Sequence, residues 1–282
     1  MVKVLSPGMY STIQDMGRFG YQEFGVPYSG VMDCYAAKIV NLLLGNEENA
    51  AVIEMTMTGP TLQFECQTVI CISGAEMSAK LNGLNIENNK LVVVKKGDVL
   101  SFGKLKLGLR AYLGILGGFK TETVMQSKSM YKGITVNNKV LKGDILPIES
   151  KTLNTLHKNA HINVDTAYMK SKTIDVLKGP EFDWLSRTEQ KLLLELEFRI
   201  SNNNNRMAYQ LEGVFKNKLD TVITSAVMPG TVQLTPAGKL IVLMRDCQTT
   251  GGYPRVLQLK DFAVNVLAQK FTGQTLCFKL CP

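Results

Sequence analysis

Short apolar runs broken by Gly, Asn or Asp dominate the chain: Leu62–Glu65, Thr68–Ile72, Lys90–Val94, Val99–Phe102, Leu109–Leu116 and Lys239–Met244. Such runs carry the period of strands, and their close spacing favours a barrel or sandwich over repeated βαβ units. Three segments instead repeat apolar residues at helical spacing. The first starts at about Asp33, a residue able to cap first-turn amides, carries Ala36, Ile39, Val40 and Leu43 on one face, and stops at Gly45-Asn46. The second is expected from Asp183 to about Glu195 and the third from Asp261 to about Gln269. The pattern predicts a mainly β protein with a few short helices.

Residues 150–172 have no clean period and are rich in Asn, Lys and Thr, which places a junction there. Gly59-Pro-Thr-Leu-Gln-Phe64 and Gly230-Thr-Val-Gln-Leu234 are alike, each followed by a further strand. The expected organisation is therefore two related halves, 1–172 and 173–282. A length of 282 residues is compatible with two domains.

Composition narrows the chemistry. Lys and Arg exceed Asp and Glu by 32 to 24, a formal charge of +8, which calls for an anionic partner. The basic residues are scattered, with little aromatic interleaving, so no nucleic-acid surface is expected. The two histidines, His157 and His161, have helical i, i+4 spacing but lack the Glu of a zincin motif, so no metal site is expected. The six cysteines contain no CxxC pair and several sit in apolar runs, as expected for buried reduced thiols. Without an apolar run long enough to span a bilayer or an apolar stretch behind the first residues, the expectation is a cytoplasmic protein with no membrane contact.

Four constellations set Gly beside polar groups where packing does not require it. In Thr12-Ile-Gln-Asp-Met-Gly-Arg18, Arg18 can offer a bidentate guanidinium to a carboxylate or phosphate, or pair with Asp15 in the turn. In Gly25-Val-Pro-Tyr-Ser-Gly-Val-Met-Asp33, Ser29, Gly30 and Asp33 open the first helix, either as an anion site or as its cap. Ser201 to Met207 reads as a strand end followed by a polar turn carrying Arg206, either as part of a site or as a solvated loop. The most telling is Asp246-Cys-Gln-Thr-Thr-Gly-Gly-Tyr-Pro254. Gln248, Thr249 and Thr250 supply an amide and two hydroxyls, and Gly251-Gly252 lets backbone approach a small carbonyl or amide substrate whose oxyanion needs donors.

In this order, with Asn41–Asn46, Glu54, Thr58-Gly-Pro60, Gly117-Gly118, Lys178-Gly-Pro180, Asp183 and Leu211-Glu-Gly213, these pieces resemble the carboxyltransferase subdomain A/B family. It includes the C subunit of bacterial ATP-dependent 5-oxoprolinase, allophanate hydrolase subunit 2 and the carboxyltransferase region of urea carboxylase. The resemblance implies two cyclophilin-like β-barrel subdomains. It also implies partners: the B component of 5-oxoprolinase, a sister protein related to the Kip kinase inhibitor, and the A component. In the 5-oxoprolinase reading, ATP, bound here or with a partner, activates the lactam of 5-oxoproline and water opens it to glutamate. Arg206, Gln248, Thr249 and Thr250 would then be catalytic, and Arg18, Ser29, Gly30, Asp33, Gly251, Gly252 and Tyr253 would bind substrate. The alternatives are a carboxyltransferase acting on urea or a related amide, with biotin on a separate carrier, and a non-enzymatic antagonist of a Kip-type inhibitor. The chain departs from the family pattern at Ala208 and Leu257, where glycine is usual. A positive φ at 208 would be strained for alanine.

Overall fold

A computed structural model describes residues 1–151 and 163–282. The histidine pair and residues 152–162 of the expected junction lie outside the described residues. The chain forms two compact units: Met1–Arg18 with Ser29–Ala167, and Phe19–Tyr28 with Tyr168–Pro282. The Gly25–Asp33 run is thus divided, its first part clustering with the second unit and its end opening a helix of the first.

In the first unit, alternation of inward apolar residues builds two sheets. One has six strands in the order Ile145–Leu146, Val2–Ser6, Thr61–Phe64, Val99–Ser101, Lys80–Leu81 and Leu84–Asn85. The other has five: Tyr10–Gln14, Val52–Thr56, Leu107–Ile115, Thr68–Glu76 and Val92–Val94. Val2, Val4, Leu62, Phe64 and Leu100 of the first sheet share one core with Ile13, Ile53, Met55, Ile72 and Leu113 of the second. The unit is a two-sheet sandwich in its hydrogen bonding.

Helix α1 (Cys34–Leu44) covers the five-stranded sheet with Ala36, Ala37, Val40 and Leu44 against Val52, Cys71 and Tyr112. Its ends are the expected ones: Asp33 accepts from the Ala36 amide, and Gly45 takes a left-handed conformation at the C-cap. The approach to α1 is fixed by a buried polar network. Glu54 Oε2 accepts from the Met32 amide at 2.7 Å and from the Tyr112 hydroxyl at 2.8 Å, while that hydroxyl accepts from the Asp33 amide at 2.7 Å. Burial and the charges of Glu54 and Asp33 push the Tyr112 phenol well above its ordinary pKa, so it stays a donor.

The second unit closes fully. Its barrel runs Thr173–Lys178, Arg255–Leu259, Thr231–Leu234, Leu240–Leu243, Ala208–Leu211, Phe198–Asn204 and Thr275–Leu280, and the parallel pairing of Thr173–Lys178 with Thr275–Leu280 completes the circuit. Closure removes the exposed sheet edge. Helix α2 (Arg187–Glu195) begins four residues later than the pattern predicts. Ser186 and Glu189 form a capping box that starts the helix there, and Phe182–Trp184 is a separate turn of 3₁₀ helix. Helix α3 (Asp261–Ala268) follows its expected course and is buried from Ala263 to Ala268. The six cysteines are unpaired thiols, but only Cys71 and Cys247 are buried, each with its pKa pushed up to about 12 by desolvation, so burial is a correction for the other four. Among the described residues, no helix is long and apolar enough to cross a membrane.

Tyr112→Phe deprives a buried carboxylate of a donor and the Asp33 amide of its acceptor. It is expected to lower stability by about 1–3 kcal/mol with the fold retained, read as an earlier urea-unfolding midpoint.

Candidate active site

A cavity of about 890 Å³ opens in the second unit, a size suited to a small organic ligand. Its wall begins with Lys178-Gly179-Pro180, which leaves the end of a barrel strand. A Cβ on Gly179 would collide with the Arg255 carbonyl oxygen, so only glycine allows these backbones to meet. That contact brings Glu181 onto Arg255. The Arg255 amide and Nε donate to Glu181 Oε2 at 2.8 and 3.0 Å, Nη2 donates to Oε1 at 2.7 Å, and Nη1 donates to the Ala226 carbonyl at 3.0 Å. The hydrogen bonds from Arg255 hold the Glu181 carboxyl below the usual carboxylate range, and Glu181 in turn raises the Arg255 pKa.

Ala226 links this pair to the Gln248–Tyr253 turn. Ser225–Ala226 pairs with Thr250–Gly251, and the Val227 amide donates to the Thr249 carbonyl at 3.0 Å. Arg255 therefore fixes the short strand on which Thr250 sits. Thr249 and Thr250 line the cavity, and no protein partner of either hydroxyl is found among the described residues. Thr231 and Gln258 line it too, already joined by a 2.9 Å bond from Thr231 Oγ1 to Gln258 Oε1. Lys178 adds a second cation, 3.0 Å from Asp183 and 5.0 Å from the centre of the Phe182 ring. Gln22, Glu23 and Tyr28, of the segment that clusters with this unit, add an amide, a carboxylate and a phenol to the lining, while Leu177, Val227, Met228 and Leu257 supply apolar wall.

The other expected residues are distributed as follows. Arg206 is buried and clamps Asp246 through Nε to Oδ2 at 2.8 Å and Nη2 to Oδ1 at 3.0 Å, which anchors the start of the Asp246–Pro254 segment. Gln248 Oε1 and Gln233 Nε2 are buried without protein partners among the described residues, and a Cβ on Gly251 would collide with the latter. Gly252 has no side chain to offer, but its carbonyl accepts from the Val222 amide at 3.1 Å, and Tyr253 is half-exposed. Arg18, Ser29, Gly30 and Asp33 belong to the first unit. Arg18 is fully buried, donating from Nε to the Val124 carbonyl at 3.1 Å and from Nη2 to the Ser129 carbonyl at 2.9 Å. Ser29 has a left-handed φ of 54° and a buried hydroxyl without a partner among the described residues, Gly30 lies where a Cβ would meet the Gly17 backbone, and Asp33 is the helix cap.

Sequence reading does not single out Arg255, Glu181, Thr231 or Gln258. Pro254-Arg255 follows the Gly-Gly turn directly, and Glu181 follows Lys178-Gly-Pro180, so the two motif ends carry the signal. Ala208 has no positive φ and lies in a strand, its amide bonded to Asn205 Oδ1 at 3.1 Å. Leu257 is fully buried and faces the cavity as apolar wall.

Together these features define a mainly β protein whose closed barrel carries a cation- and hydroxyl-lined cavity. The chain belongs to the carboxyltransferase domain, subdomain A and B, family, whose model matches residues 24–280. It is 33% identical over 287 residues to the C subunit of 5-oxoprolinase from Escherichia coli (strain K12), an alignment covering 100% of this chain and 91% of that protein. It is 36% identical over 225 residues to urea amidolyase of Saccharomyces cerevisiae, covering 75% of this chain and 12% of that one. Among solved structures, the Kluyveromyces lactis urea carboxylase aligns with a TM-score of 0.86 at 27% identity, over 98% of this chain and 27% of its own. TTHA0988 shares the fold with a TM-score of 0.86 at 24% identity, over 99% of this chain and 55% of its own, so this chain spans about half of that protein.

The lowered Glu181 pKa sets a sign. A carboxylate depressed on folding stabilises above its unfolded pKa, about 4.3, and loses that contribution as pH falls through the folded value. Glu181→Gln is expected to flatten the loss of stability below about pH 4.3, measured as urea midpoints between about pH 3 and 6; an unchanged profile would contradict the pairing.

Proposed function

We propose that this chain is the C subunit of an ATP-dependent 5-oxoprolinase and acts with the B and A components of that enzyme to convert 5-oxoproline, ATP and water to glutamate. The observation that carries this reading is the match along the whole chain to the C subunit of the Escherichia coli 5-oxoprolinase. The cavity chemistry supports it. Opening an activated lactam builds negative charge on the former carbonyl oxygen and on the phosphoryl group. Hydroxyl donors at Thr249 and Thr250, with the cations of Arg255 and Lys178 on the same wall, suit those charges in a partly desolvated site. Arg206 and Gln248 act through the Asp246–Thr250 turn, Arg206 by clamping Asp246. Gly251, Gly252 and Tyr253 shape the approach of the substrate, and in the first unit Arg18 holds the Val124–Ser129 turn while Ser29, Gly30 and Asp33 order the approach to α1. Unpaired thiols and a need for ATP fit a cytoplasmic protein.

The second reading, carboxyl transfer from biotin on a separate carrier to urea or a related amide, is favoured by the 36% identity to urea amidolyase. The same hydroxyl donors would then face the ureido oxygen.

Reconstitution separates the two readings. Glutamate release from 5-oxoproline should require ATP, both partners and this chain, and Thr250→Val should lower kcat by about a hundredfold, the effect of losing one oxyanion donor. Release unaffected by omitting this chain would remove the first reading, and bicarbonate fixation dependent on urea and a biotinylated carrier would establish the second.

A further inference from the structure

The first unit holds a second polar cavity, of about 410 Å³, between the turn after α1 and the turn after the strand Leu107–Ile115. Three lysines, Lys120, Lys128 and Lys151, line it against one carboxylate, Glu47. Glu149 is shared by Lys120 at 3.4 Å and Lys151 at 2.6 Å, whereas no ion pair to Lys128 is found among the described residues. Lys120 and Lys128 also line an adjoining cavity of about 300 Å³, so their side chains stand between the two.

Lys128 is not carried on a loose surface loop. Its amide donates to Asp15 Oδ2 at 2.6 Å, and the hydroxyls of Ser127 and Ser129 on either side donate to Asp15 Oδ1 at 2.7 and 2.6 Å. Asp15 and Arg18 are both buried, and Arg18 holds the Val124 and Ser129 carbonyls. Val124 and Ser127 exchange backbone hydrogen bonds across Met125 and Gln126, which have left-handed φ angles of 50° and 62°. A turn with two non-glycine residues in that region persists only where its surroundings force it. Two buried charges and a strained turn thus fix the backbone from which Lys128 reaches a polar cavity. Preorganisation of this kind is what a binding site requires.

We propose that this cavity binds a small phosphate-type oxyanion, gripped by Lys128 with Lys120 beside it. Lysine ammonium groups act as point charges suited to phosphate, and the volume exceeds that of one phosphate, leaving room for a diphosphate or a phosphorylated small molecule. The inference rests on the first unit alone and is independent of the lactam reading, because it is tested by binding rather than turnover.

The test is calorimetric titration of the full chain with inorganic pyrophosphate, with succinate as the carboxylate comparison. Saturable one-to-one binding is expected. Lys128→Ala should weaken it by at least about tenfold, as loss of a charge-assisted contact does, Lys128→Arg should stay within about threefold because charge is kept, and Lys80→Ala should have no effect. Absence of saturable binding, an unchanged affinity in Lys128→Ala, an equal loss in Lys80→Ala, or tighter binding of succinate would each overturn the proposal.

Discussion

The ion pair between Glu181 and Arg255 fixes the shape of the barrel cavity. Three Arg255 donors close on one carboxylate and the fourth reaches Ala226, whose strand pairs with Thr250. A bidentate guanidinium has one geometry in which all these contacts are made. The position of the Thr249–Thr250 edge therefore follows from where Glu181 stands. Glu181 stands there because Gly179 admits the Arg255 backbone at a distance that a Cβ would forbid.

The same economy recurs across the chain. Seven of its 32 cations are arginines, and Arg18, Arg110 and Arg206 are buried. Each holds loop or strand backbone or a carboxylate in place, work for which a planar fork of donors is better suited than an ammonium. The lysines are mostly at the surface and account for the positive balance. Among the described residues Lys270 is the exception, buried with its Nζ donating to the Met169 carbonyl at 2.8 Å and its pKa lowered by desolvation. Arg206 and Arg18 thus have the same kind of post in different units. One clamps the root of the Asp246–Pro254 segment, the other the turn that presents Lys128.

Local chemistry makes much of the fold legible. Asp33 and Gly45 bracket α1 because capping is decided within a few residues, and the buried strands of the first unit show as short apolar runs, whereas most strands of the barrel mix polar and apolar residues and give no such run. The start of α2 lies past the expected Asp183 because the reciprocal Ser186–Glu189 capping box opens the helix at Arg187. The clustering of Phe19–Tyr28 with the second unit is a long-range fact that no window of sequence contains. At the site, the hydroxyls of Thr249 and Thr250 are readable from the Gly-Gly turn. Arg255 is not, because its partner is Glu181, far away in the chain and brought close by the antiparallel pairing of Thr173–Lys178 with Arg255–Leu259.

Glu181 serves the cavity through Arg255, and a double-mutant cycle of Glu181→Gln and Arg255→Lys tests this most directly, read as kcat of the reconstituted enzyme with the fold of each variant checked by urea unfolding. Each single change should lower kcat by at least about tenfold, and the double variant should be no worse than Arg255→Lys alone, since contacting residues do not act additively. Additive losses, or wild-type turnover in folded Arg255→Lys, would contradict the account.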